Sequence, residues 1–237
     1  MNYKEPIIRN VDDLMGKKKA VSKKRNAPYL PDNPLMCLVI SRTGGGKTNV
    51  VLEMILQGIL PFDELIVYSK TLDQPKLAFL RANIQEAEKK GKRRIGTFVD
   101  NENDLPSPES LDPKKKKLVL FDDVLEENQD KKMSKYYTRG RHVGCNVVFA
   151  AQSFFNIKKS AIRTNANYLM LFKNIPKGDI QNLSRLYCPD ISVKEFERFY
   201  YSGTKKDHSF VTVDLEKNVD NGCYKHGFTK IFNPRCM

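Results

Sequence analysis

The chain has 237 residues, enough for one α/β domain with a sizeable core and too few for two enzyme domains of ordinary size. Its 41 Lys and Arg against 28 Asp and Glu leave a formal charge of +13, which points to a polyanionic partner. No apolar run nears the ~18 residues of a membrane span, and five cysteines without Cys-x-x-Cys spacing argue against a disulfide framework, so an intracellular chain with no membrane partner is expected.

Residues 1–34 are polar, basic and broken by Pro6, Pro28, Pro31 and Pro34, and read as an N-terminal arm in which "EPIIRNVDDLM" docks locally. The start "MNYKEPIIRN" has no apolar signal core. A core is expected over 35–187 and a C-terminal extension, packed on or beside it, over 188–237. "LMCLVIS" predicts a buried strand, and "TNVVLEMILQGIL" a helix carried through Leu56, Ile59 and Leu60. "DELIVYSK" predicts a second buried strand, "QPKLAFLRANIQEAEKKGKRR" a helix with a basic exit, and "GTFVD" a short edge strand. Residues 101–113, rich in Asp, Pro, Ser and Asn, read as a surface loop. "KKKKLVLFDDV", "CNVVFAAQS" and "NYLMLFK" are three further strands, with helices expected over 129–139, 158–164 and 177–186. "SVKEFERFYYSG" is an amphipathic helix, and the alternation of "SFVTVDLE" predicts an exposed or terminal strand. Strands alternating with helices give an α/β fold with a mostly parallel sheet covered on both faces.

The stretch "SRTGGGKTN" follows the first strand and opens the first helix. It matches G-x-x-x-x-G-K-[ST] except that Ser41 stands at the first glycine. Gly44, Gly45 and Gly46 let backbone N–H groups turn toward phosphates, and Lys47 can reach the β- and γ-phosphates. Thr48 can hold Mg²⁺ through its hydroxyl. Arg42, Thr43 and Asn49 complete the expected nucleotide contact, with ATP as ligand. Asp122, at the end of "KLVLFDD", is the candidate acid for the metal, and Asp123 the candidate base. Gln152 closes "CNVVFAAQ", where parallel strands bring their ends to one edge. There it can sense the γ-phosphate or orient water. Arg139 and Arg141 in "TRGRH" are candidate arginine fingers for a neighbouring subunit or contacts to DNA phosphate, and Arg163 in "SAIRTNAN" is a further candidate. His142 reads as structural. Cys223-x-x-His226 with Cys236 lacks a fourth ligand at recognisable spacing and reads as ordinary residues. Each lysine-rich run, such as 89–94 or 114–117, reads by itself as a solvated face, and the chain-wide surplus as the mark of a polyanion.

"SRTGGGKTN", "LVLFDDV", "TRGRH", "FAAQS" and "IRTNANYLMLF", in this order, resemble the genome-packaging ATPases of poxvirus-like large DNA viruses and virophages. These belong to the FtsK–HerA branch of the additional-strand phosphate-loop ATPases, and the resemblance covers about residues 35–172. It implies a RecA-like core with the Gln-bearing strand between the phosphate-loop and acidic strands. It also implies a hexameric or pentameric ring that pumps double-stranded DNA into a preformed capsid, docked on a capsid-vertex or portal protein. The setting it implies is the host cytoplasm at the site of virus assembly, or the virion. Lys47 and Thr48 would bind phosphate and Mg²⁺, Asp122 support the metal, Asp123 act as catalytic acid, Gln152 as polar sensor, and the "TRGRH" arginines serve the subunit interface. Ser41 and Asp123 depart from the family's usual glycine and glutamate, and the chain has no room for a nuclease domain, which favours a pure translocase. The alternatives are a HerA-like or conjugation-type DNA pump and a basic capsid-vertex scaffold with a degenerate phosphate loop.

Overall fold

The computed structural model describes residues 26–32, 34–124, 130–155, 157 and 160–234. Residues 1–25 of the arm, with "EPIIRNVDDLM", the helix starts at 129 and 158–159, and Cys236 lie outside the described residues. The strands are β1 (Met36–Ile40), β2 (Glu64–Ser69), β3 (Gly96–Val99), β4 (Lys117–Asp122), β5 (Cys145–Ala151), β6 (Tyr168–Phe172), β7 (Phe210–Asp214), β8 (Tyr224–His226) and β9 (Lys230–Ile231). The helices are α1 (Lys47–Leu56), α2 (Pro75–Gly91), α3 (Asp130–Arg139), α4 (Ser160–Asn165), α5 (Lys177–Tyr187) and α6 (Val193–Gly203). No helix among the described residues is long and apolar enough to cross a membrane.

One sheet takes the order β3-β2-β4-β5-β1-β6-β7-β8-β9. The strands from β3 to β6 in this order are parallel, and β7, β8 and β9 add on antiparallel. The Gln-bearing strand β5 thus lies between β1 and β4. The apolar runs are continuous because both faces are covered. Met36, Leu38, Ile40, Val119, Phe121, Val147 and Phe149 face a core shared with α3, α5 and α6. Cys37, Val39, Leu118, Leu120 and Val148 face the core closed by α1 and α2.

Several expectations change. The first helix stops at Leu56, because Gly58 takes a left-handed φ of 68° and Leu60 turns back into the core. The loop at 101–113 contains two one-turn 3-10 helices and buries Leu105. Lys132 Nζ fastens it by donating to the carbonyls of Glu102, Asn103 and Leu105. The strand read as exposed or terminal, β7, is buried and paired on both sides, by β6 and β8. Its alternation reported composition without edge position, since the edge is supplied by the very short β9.

The start of β1 is pinned by amides. Asn146 Oδ1 accepts from Leu35 N at 2.9 Å and Asn167 Oδ1 from Met36 N at 2.7 Å. Asn146 Nδ2 in turn donates to Asn26 Oδ1, which also receives Lys116 Nζ, both at 2.9 Å. Asn146→Ala leaves the buried Leu35 N without its partner, at a cost of roughly 1–3 kcal/mol. Urea unfolding should show a lower midpoint with the slope unchanged.

Candidate functional site

The phosphate loop leaves β1 after Ile40, where Ser41 N donates to Ala151 O at 3.1 Å. Gly44 and Gly46 take left-handed φ values of 76° and 103°, which a side chain would strain. Ser41 does not: its backbone is outside the left-handed region, and its buried hydroxyl donates to Arg42 O at 3.1 Å. The absence of a side chain is required instead at Gly45, where a Cβ would run into Ser41 Oγ. The serine is therefore accommodated by its partner glycine. Arg42, Thr43 and Asn49 are exposed and Thr48 is half-buried at the open start of α1, which has no acidic residue in its first turn. Four backbone N–H groups and the positive end of the helix dipole are left for an anion.

Lys47 is buried, and its Nζ donates to Asp123 Oδ2 at 3.0 Å. Gln152 Nε2 donates to the same oxygen at 3.1 Å, and Thr43 Oγ1 donates to Gln152 Oε1 at 3.2 Å. The phosphate loop, the acidic strand and the Gln strand are thus joined through three side-chain contacts. Asp123 itself has φ 51°, a conformation that Asp tolerates better than Glu because a short carboxylate can bond locally. That is a backbone reason for the shorter acid.

Asp122, the last residue of β4, is buried, and its Oδ1 has no hydrogen-bond partner among the described residues. Burial, and then the neighbouring charge of Asp123, push its carboxyl up to about 6. An orphaned buried carboxylate oxygen next to a second carboxylate fits a divalent cation, which supplies the missing charge and ligand. Asp122 and Thr48 are the residues that would hold Mg²⁺.

Arg139 and Arg141 flank the turn that feeds the first residue of β5, so they lie at the edge where the parallel strands begin. The phosphate loop lies where they end. The seven residues of β5 span about 20 Å, so neither arginine reaches the phosphate loop of its own chain. Arg139 pairs with Glu109, and Arg141 Nη2 donates to Asn165 O at 3.0 Å. Arg163 lays its guanidinium 5.7 Å from the Phe154 ring centroid. His142 is exposed. His226 bonds Ser202 Oγ at 3.1 Å and stacks on Phe199.

Two residues escaped the sequence reading. Asp179, buried in the first turn of α5, accepts from Ser153 Oγ at 2.9 Å and Phe154 N at 3.1 Å, fixing the segment that carries Gln152. His208 lies against Gly46. No motif marks either, because both reach the site through the fold.

A glycine loop after β1, an acid pair ending β4 and an amide ending the intervening β5 define a RecA-like phosphate-loop ATPase fold. No family model and no curated protein matches the sequence. Solved structures do match. The genome-packaging NTPase B204 of Sulfolobus turreted icosahedral virus 2, in complex with AMP, is 12% identical with a TM-score of 0.53, over 78% of this chain and 94% of that one. Its complex with ATP-gammaS is 13% identical over the same shares, again at 0.53. B204 of Sulfolobus turreted icosahedral virus, a DNA-packaging ATPase, is 12% identical at 0.54, over 77% of this chain and 94% of that one. The likeness is one of fold.

Two outcomes follow from the geometry. Asp122→Asn removes a buried charge, and the sign is fixed by the raised pKa. The protonated form favours the folded state, so Asp122 lowers apo stability progressively as pH rises from about 4 through about 6. At pH 7 the metal-free Asn variant should therefore melt higher than the parent, by up to about 3 kcal/mol, with the advantage gone below pH 4, as thermal melts across pH will read. In the loop, Ser41→Gly should leave ATP affinity within about threefold, a change smaller than one lost hydrogen bond, whereas Gly45→Ala should abolish binding measured by calorimetry.

Proposed function

We propose that this chain is an ATP-hydrolysing motor of the FtsK–HerA type that translocates double-stranded DNA and packages a viral genome into a preformed capsid. The observation that carries the reading is the meeting of Lys47, Asp123 and Gln152 beside the orphaned Asp122 carboxylate, on a fold shared with packaging NTPases. In this reading the phosphates of ATP lie on the N–H groups of Gly44 to Thr48. Lys47 then exchanges its bond to Asp123 Oδ2 for the β- and γ-phosphate oxygens. That exchange leaves Asp123 Oδ2 able to take the proton of the attacking water as its oxygen bonds the γ-phosphorus and the bond to the β–γ bridging oxygen breaks, releasing ADP. Bound at Asp122 and Thr48, Mg²⁺ supplies charge neutralisation for the phosphate oxygens. Gln152 links Thr43 of the loop to Asp123, so it is positioned to register whether the γ-phosphate is present.

The working form in this reading is a ring of five or six copies on a capsid vertex or portal, at the site of virus assembly. Arg139 and Arg141 would serve its subunit interface, with Arg163 a further candidate. The arm at 1–34, the core at 35–187 and the extension at 188–237 are its parts. ATPase activity measured with and without double-stranded DNA, with mass determined in the same buffer, tests the proposal. Duplex DNA should stimulate turnover, Lys47→Ala should abolish it, and DNA affinity should fall steeply with salt because counterions are released. DNA-independent hydrolysis by an assembled ring would overturn the translocase reading, and no MgATP binding at all would favour the scaffold.

A further inference from the structure

The loop between α6 and β7 returns to the phosphate-loop edge, because β7 runs antiparallel to β6 and its first residue, Phe210, pairs with Phe172 at that strand's end. Several bonds hold the loop. Ser209 N and Oγ both donate to Lys206 O, at 3.2 and 2.6 Å, and Lys173 N donates to Ser209 O at 3.3 Å. Lys173 Nζ pairs with Asp207 Oδ1 at 2.7 Å. At its tip His208 adopts φ 60°, a left-handed conformation that a histidine takes only at some cost. The result is an exposed imidazole against the loop: a Cβ placed on Gly46 would lie 3.2 Å from His208 Nδ1. His208 makes no hydrogen bond among the described residues, so no structural bond accounts for the strained backbone.

Direction decides what the ring can meet. Asp122, Asp123 and Gln152 stand at the ends of β4 and β5, to one side of β1, so the γ-phosphate faces that side. A nucleotide stretched along the loop must carry its base away from them, toward β6 and β7. His208 is the ring that stands on that side of Gly46. We propose that His208 is the base-side wall of the nucleotide site and stacks on the purine. The inference rests on the reading of Gly44 to Thr48 as the phosphate cradle and assigns the recognition of the base to a residue 160 positions further along the chain.

Calorimetry on the full chain tests it, with MgATP and magnesium tripolyphosphate as two probes that share the phosphates and differ in the base. His208→Asn keeps a residue that tolerates the left-handed backbone and removes the ring. ATP affinity should fall about tenfold, as expected for one lost base stack, while tripolyphosphate binding stays at the parent value. Lys47→Ala should weaken both probes. An Asn variant that binds ATP like the parent overturns the proposal, as does one that loses both probes equally, which would mark a structural role. A parent chain that binds neither probe overturns the phosphate-cradle reading itself, and this inference with it.

Discussion

One carboxylate oxygen organises the site. Asp123 Oδ2 receives both Lys47 Nζ and Gln152 Nε2, and those three residues come from three adjacent strands or the loops that end them. Only the order β4-β5-β1 allows it, because parallel neighbours finish at one edge and strands sit about 4.8 Å apart. Inserting β5 between the phosphate-loop and acidic strands separates Lys47 from Asp123 by one strand. Gln152 occupies the gap that this creates. The bond from Thr43 to Gln152 closes the link back to the loop, so a change at any corner is felt at the others.

Stability and chemistry pull in opposite directions here. Asp122 holds a buried oxygen without a partner, and Asp123 and His208 hold left-handed backbones. None of these helps the chain fold. They persist because the surrounding sheet, with Val119, Phe121, Val147 and Phe149 buried, over-determines their positions. Ser41 shows the converse, a departure from a motif that costs little. Its backbone is ordinary and its hydroxyl is bonded, so what the loop forbids is a side chain at Gly45.

The parallel strands and the phosphate loop were legible because their signals are local. A strand buried on both faces must be continuously apolar, and a glycine loop must stand between such a strand and a helix. The acid of β4 and the amide of β5 were legible by position, as the residues that end two such runs. What depended on tertiary return was not. Nothing in "TKKDHS" says that this turn meets Gly46, and nothing in "KGDIQ" says that Asp179 will grip Ser153 and Phe154. β8 and β9 were too short for any periodicity, and without them β7 looked like an edge. The arginines of "TRGRH", read as fingers or DNA contacts, stand before β5, at the edge opposite the phosphate loop.

Charge gives the last step. The run at 114–117 looks solvated, but Lys115 pairs with Glu64, Lys116 bonds Asn26 Oδ1, and buried Lys117 donates to the carbonyls of Asp112 and Val143. Lys225, likewise buried, serves Tyr29 O. Lys116, Lys117 and Lys225 therefore count toward the formal +13 without adding to the exposed surface. What is exposed includes Lys89, Lys92, Arg93 and Arg94, and the cavity that Arg93 and Arg94 share with Lys114 and Lys115 measures about 880 Å³ and opens where β2 and β3 begin. Arg139 and Arg141 lie on that same starting edge. ATP, in the proposed function, binds at the other. In the proposed function, arginines on one edge and phosphates on the opposite edge would serve a neighbour's site and not their own, through a head-to-tail contact of the kind that closes into a ring when the rotation between copies allows.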